Sequence, residues 1–100
     1  MTLYAVMAWD APGSAEPRAA HRDAHFAHIG NIVDKIAVAG PLKDANGVNI
    51  GSLVVLKVES RDEAEAVLQS DPYFAAGVWA RWEIHPFVAA AGDWVGGTIW

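Results

Sequence analysis

His21, His25 and His28 follow one another at spacings of four and three residues, which puts three imidazoles on one side of a helix. Two kinds of chemistry suit such a set. Imidazoles four residues apart can share a zinc or copper ion. A metal site also needs a further ligand or an open water position, with outer hydrogen bonds that hold the rings, and the sequence marks neither. No metal is assigned, and His21 and His28 read as partly solvated flanks. His25 offers the second kind, because an imidazole titrates near neutral pH and can move a proton at a substrate.

The position of His25 around the helix sharpens the question. At about 100° per residue, with His25 as origin, Ile29 falls at about +40°, Ile32 at about −20° and Ile36 at about +20°. These isoleucines form an apolar stripe that must face a sheet, so His25 points into the protein one turn ahead of them. His21 and His28, at about −40° and −60°, lie on the near edge of that face, and Asp34, at about 180°, faces solvent. An unpaired polar group buried there costs on the order of 1–3 kcal/mol, so His25 needs a partner or a cavity. On spacing alone a satisfied core histidine is the commoner outcome. A general acid/base in a pocket between helix and sheet is the alternative.

The other candidates are weaker by themselves. Asp71 precedes Pro72, the pattern of a helix cap followed by a first-turn proline; a carboxylate there could also orient an imidazole across the sheet end, and the two roles are compatible. Gly40-Pro41 and Gly51-Ser52 read as turn or strand-end signals. Ser52 lacks the strand-turn-helix context of a nucleophilic serine and reads as a polar strand-edge residue. The five tryptophans suit core and interface better than a ligand cage, and no glycine loop for phosphate is present.

The elements that must position these residues follow from pattern. Leu3 to Trp9 is an unbroken apolar run, the mark of a buried strand, closed by Asp10-Ala11-Pro12-Gly13-Ser14. A helix is expected from about Pro17 to Lys35, then a strand from Ala37 to Leu42. Lys43 to Gly51 is a polar turn region containing Asn46-Gly47, a hairpin signal, and Ser52 to Val58 is a β-branched third strand. Ser60 and Glu63 form a capping box for a short helix to about Leu68. Asp71-Pro72-Tyr73 opens a further turn that stops near Gly77, and Val78 to Val88 alternates as a fourth strand. The order β-α-β-β-α-β is the ferredoxin-like arrangement, an antiparallel sheet with both helices on one face. Tyr4, Val6 and alternate residues of the other strands are expected on the bare face, where a second subunit would cover them.

Composition narrows the function classes. One hundred residues make one domain with a modest core. A chain 53% apolar has more large apolar side chains than so small a core hides, which points to self-association. The net charge is −5 and the seven basic residues are scattered, so nucleic acid is not an expected partner. With no cysteine, disulfides, thiolate metal sites and cysteine nucleophiles are excluded. No signal peptide and no run approaching the ~18 apolar residues of a membrane span are visible, so a cytoplasmic location without membrane partners is expected.

Tyr4 in its apolar strand, Arg18, Ala24-His25-Phe26, Ala39-Gly40-Pro41-Leu42, Gly51-Ser52, Asp71-Pro72-Tyr73, Ala76-Gly77-Val78 and Pro86-Phe87 occur in an order and spacing that resemble the YciI-like (YCII-related) domain family. The resemblance covers about residues 3–88. It implies a ferredoxin-like α+β fold of the dimeric α+β barrel type, and a histidine–aspartate pair in a pocket. His25 matches the histidine and Asp71 the aspartate; the helical angles set Asp34 aside as the partner. Arg18, Gly40, Pro41, Ser52 and Tyr73 are the substrate-binding positions it implies. A related member eliminates chloride from a chlorinated hydroxyquinol, so lyase or isomerase chemistry without a cofactor, on a small cyclic or aromatic substrate, is the expected activity; a non-catalytic small-molecule-binding or interaction domain is the alternative. The extra histidines His21 and His28 depart from the pattern, as does the tail from Ala89 to Trp100, which is expected to pack on the pocket or on a partner subunit.

Overall fold

The computed structural model describes residues 2–100. Four strands, β1 (Leu3–Asp10), β2 (Ile36–Lys43), β3 (Asn49–Lys57) and β4 (Trp79–Phe87), form one antiparallel sheet in the order β2-β3-β1-β4. Helices α1 (Ala15–Asn31), α2 (Arg61–Gln69) and the single turn α3 (Pro72–Ala75) complete a ferredoxin-like α+β fold. The two central strands β3 and β1 pair from Leu3 with Lys57 to Trp9 with Gly51. This register puts Tyr4, Val6 and Ala8 on the same face as Ser52, Val54 and Leu56.

That face is the helix side. Val6, Ala8, Leu56 and Val58 join Ala64 and Leu68 of α2, with Tyr73, Val78, Trp79 and Ile84, in one buried cluster. The bare face is therefore not the one expected for Tyr4 and Val6. It carries Leu3, Ala5, Met7 and Trp9, the other parity of the same strand. An unbroken apolar run has no alternation to say which parity faces the helices, and this is why the assignment failed.

Sequence signals and structure agree closely around α2. Ser60 Oγ accepts the Glu63 N–H at 3.1 Å, the first half of the capping box, and the Glu63 carboxylate reaches back to the Glu59 N–H at 3.1 Å, one residue before the cap. The β2–β3 turn is held by Asp44, whose carboxylate accepts the N–H groups of Asn46 and Val48 at 2.8 and 3.0 Å. The third strand begins at Asn49, earlier than expected, and Gly51 lies inside it. A Cβ on Gly51 would stand 2.6 Å from the Ala8 carbonyl oxygen, so glycine is required there by close strand approach and not by a turn.

α1 ends at Asn31, four residues short of the expected end, and a 3-10 turn over Val33–Lys35 leads into β2. Gly30 and Asn31 weaken the helix, and the β-branched Ile32, Val33, Ile36 and Val38 favour extended backbone. Ile36 accordingly opens β2 instead of extending the helical stripe. Residues 91–92 and 97–98 form a separate two-stranded hairpin, β5 and β6. Trp94 and Trp100 in this tail are 86% and 82% exposed. The molecule is 44 Å long with a radius of gyration of 14.0 Å, against about 12.7 Å for a compact chain of this length. No helix among the described residues is long and apolar enough to cross a membrane.

Candidate active site

α1 rests on α3 while its middle stands off the sheet, and none of its side chains is fully buried. The gap is a cavity of about 340 Å³. Its apolar walls come from Ile29 and Ile32 of α1, Val54 and Leu56 of β3, and Val67 and Leu68 of α2. Its polar end is formed by Arg18, Arg22, His25, Ser52, Asp71 and Tyr73. Gly40 and Pro41 line it from β2, an edge strand, where a proline removes no needed ladder hydrogen bond.

His25 and Asp71 meet there. The Nδ1 of His25 lies 2.9 and 2.8 Å from the two carboxylate oxygens of Asp71, and the side chains are 18% and 6% exposed. Asp71 is also the cap of α3: its Oδ1 accepts the Tyr73 N–H at 2.9 Å. The cap fixes the carboxylate, and the carboxylate fixes the imidazole. An N–H at Nδ1 donates to Asp71, and Nε2 has no partner among the described residues. The ring stacks on Tyr73 at 4.0 Å between centroids and 8° between planes, and Tyr73 meets Trp79 edge-on at 5.9 Å. The indole N–H of Trp79 is buried without an acceptor.

Arg18 organises the other side. Its Nε and Nη2 donate to the two oxygens of Asp10 at 2.7 and 2.9 Å. Nη2 also reaches the Gly51 carbonyl and Ser52 Oγ, both at 3.3 Å. Ser14 leaves α1 without a side-chain cap and instead donates its hydroxyl to Asp10 at 3.1 Å. Burial works against the Arg18 charge, but hydrogen bonding and attraction to Asp10, with Tyr73 nearby, outweigh it and hold the guanidinium above its ordinary value. The Tyr73 hydroxyl donates to the Arg18 carbonyl at 3.3 Å. Burial pushes that hydroxyl up, Asp71 adds to the rise, and Arg18 and Arg22 pull against it.

Beyond Arg18 the cavity opens into a cleft of about 620 Å³ between the β1–α1 loop and Val48–Ile50. All seven expected site residues, His25, Asp71, Arg18, Gly40, Pro41, Ser52 and Tyr73, line the cavity. Ser52 is corrected in one respect: β3 is an interior strand, so Ser52 is not on an edge. Asp10, Ser14, Arg22, Asn49 and Trp79 were not anticipated. Arg22 was within reach of the helical wheel, since it falls about 60° from His25; Asp10 was masked by its turn-forming neighbours. Among the described residues no group of three or more His, Asp or Glu side chains could hold a metal ion. His21 is exposed, and His28 lines the cavity and touches Ser70 Oγ at 3.5 Å. The tail lines neither cavity.

A ferredoxin-like sheet whose first helix is held open over a histidine–aspartate pair defines the class of this protein, and sequence comparison gives the family. The profile of the YCII-related domain matches residues 2–88, and the chain belongs to that family. It is 36% identical over 93 residues to Protein YciI of Escherichia coli O6:H1 (strain CFT073), covering 85% of this chain and 95% of that one. An uncharacterised protein of Haemophilus influenzae is 32% identical over 92 residues, covering 84% and 94%. Among solved structures, 5-chloro-2-hydroxyhydroquinone dehydrochlorinase from Burkholderia phenoliruptrix AC1100, in complex with 2,5-dihydroxybenzoquinone, superposes with a TM-score of 0.80 at 28% identity, covering 91% of this chain and 96% of that one.

Proposed function

We propose that this chain is a cofactor-independent enzyme of lyase or isomerase type, in which His25 moves a proton at a small cyclic or aromatic substrate and Asp71 fixes its tautomer. The observation that carries the reading is the unpartnered Nε2 of His25 at a cavity, with Nδ1 held by a carboxylate that is itself held by a helix cap. A satisfied core histidine would have both nitrogens engaged. The cavity, about 340 Å³, is at the lower end of the range for small-molecule sites, roughly 300–1,000 Å³. Its apolar walls suit a ring. The likeness to a dehydrochlorinase supports elimination chemistry: Nε2 takes a proton from the substrate, the electron pair moves into the ring system, and the leaving group departs with its bonding pair. In an isomerisation the same proton returns at another atom.

The protein works as a dimer through the bare sheet face, with the tail from Ala89 to Trp100 packing on the second subunit, in the cytoplasm. The exposed Trp94 and Trp100 and the apolar parity of β1 support this assembly.

Exchange of ring hydrogens in deuterated water tests the catalytic reading, with hydroxyhydroquinone as probe and proton NMR as readout. The protein accelerates exchange, and His25→Gln slows it by roughly 10²–10⁴, the scale of general acid–base catalysis, while circular dichroism shows the fold intact. Exchange at the full rate in His25→Gln overturns the proposal.

A further inference from the structure

Resting on the reading of the cavity as the active site, one side chain stands out because nothing in the fold uses it. Arg22 lines both the inner cavity and the outer cleft, as do Arg18, Asn49 and Tyr73. Arg18 is committed to Asp10. Arg22 has no hydrogen bond or ion pair among the described residues, and its sequence neighbour Asp23 sits about 160° around the helix from His25, away from the cavity. Its charge nevertheless reaches the site, since it pulls on the Tyr73 hydroxyl against the effect of burial.

The lining is also unbalanced in its hydrogen bonding. Both carboxylates of the lining, Asp10 at the cleft and Asp71 in the cavity, are engaged, the first by Arg18 and Ser14, the second by His25 and the Tyr73 N–H. The donors are not. Ser52 Oγ accepts from Arg18, so its own proton is free. Asn49 Oδ1 accepts from Lys43 at 2.6 Å, which leaves its amide N–H groups free. A cavity with spare donors and an unpaired guanidinium, whose two carboxylates are both engaged, is complementary to a ligand rich in acceptors, with Nε2 of His25 as its free basic nitrogen. The whole chain carries −5, so attraction for such a ligand must be local.

We propose that Arg22 is the anion-binding residue of this site and that the substrate is a ring carrying an ionised oxygen (phenolate, enolate or carboxylate), held by Arg22 at the cleft while the ring lies against His25. Ser52 and Asn49 supply further donors to the same acceptor-rich edge. The planar fork of the guanidinium suits a carboxylate or a pair of adjacent oxygens better than a point charge does.

Calorimetric binding of two probes of the same ring size decides it: 2,5-dihydroxybenzoquinone, whose acidic hydroxyls are ionised at neutral pH, and 2,5-dimethoxybenzoquinone, which carries no ionisable group. The unaltered protein binds the ionised ring about tenfold or more tightly than the neutral one, the scale of a charge-assisted hydrogen bond. Arg22→Gln removes that preference and leaves the neutral probe unchanged, and Arg22→Lys restores part of it. Equal binding of the two probes by the unaltered protein, or an undiminished preference in Arg22→Gln, overturns the inference. Because the readout is binding, it separates from catalysis: loss of selectivity in Arg22→Gln together with full exchange in His25→Gln removes the catalytic reading and keeps the anion site.

Discussion

α2 has nine residues and buries Ala64 and Leu68 against the sheet, whereas α1 has seventeen and buries none of its side chains fully. Both cover the same face. α2 packs Ala64 and Leu68 into one buried cluster with Val58, Ile84 and Leu56 and borders the cavity only at its Val67–Leu68 end; α1 stands off and leaves a cavity under Ile29 and Ile32. The ends of the two helices differ in the same way. Ser60 caps α2 with its side chain, but Ser14 at the start of α1 turns its hydroxyl to Asp10 in the site. The short helix is a stability element and the long one a wall, held in place by polar contacts instead of by dry packing. Length of helix does not measure its share of the core, because burial scales with the apolar area removed from water and not with residues ordered.

The contrast predicts unequal responses to similar truncations. Ile84→Ala, in the α2 half, costs about 2–5 kcal/mol of unfolding free energy, because it leaves a void in a closed core. Ile29→Ala, at the cavity wall, costs less than half as much, since the lost atoms faced space already open. Denaturant melts of both variants check this, and equal costs would break the distinction between core and wall. Next in size is Ser60→Ala, which removes a side-chain cap worth roughly 1 kcal/mol and lowers stability without moving ligand affinity.

The smallest effect is alkaline. Tyr73 holds its proton more tightly in the folded chain than in the unfolded one. Its contribution is therefore fully present below the ordinary tyrosine value of about 10 and is lost as pH rises through the higher folded value. Tyr73→Phe removes that part of the alkaline decline, so the melting temperatures of the two proteins converge as pH is raised past 10. A decline of the same steepness in the variant would show that Tyr73 does not contribute to it.

The sequence by itself determined the element order as far as β4, though not the β5–β6 hairpin, and several of the ends, because those signals are local. The capping box at Ser60 and Glu63, the Asp71-Pro72 cap and the Asn46-Gly47 turn each act over a few residues of chain. It also placed His25 on the inner side of α1, since periodicity fixes a direction relative to neighbours on the same helix. What lies opposite that direction is not local. Whether His25 would meet dry packing or open space depended on how far α1 stands from the sheet, and its meeting with Asp71 joins residues 46 positions apart. The same is true of Asp10 with Arg18, of the free guanidinium of Arg22, and of which parity of Leu3 to Trp9 faces the helices. The tertiary structure decided these because an uninterrupted apolar strand carries no preferred face, and a cavity is a property of the distance between elements, which no single element encodes.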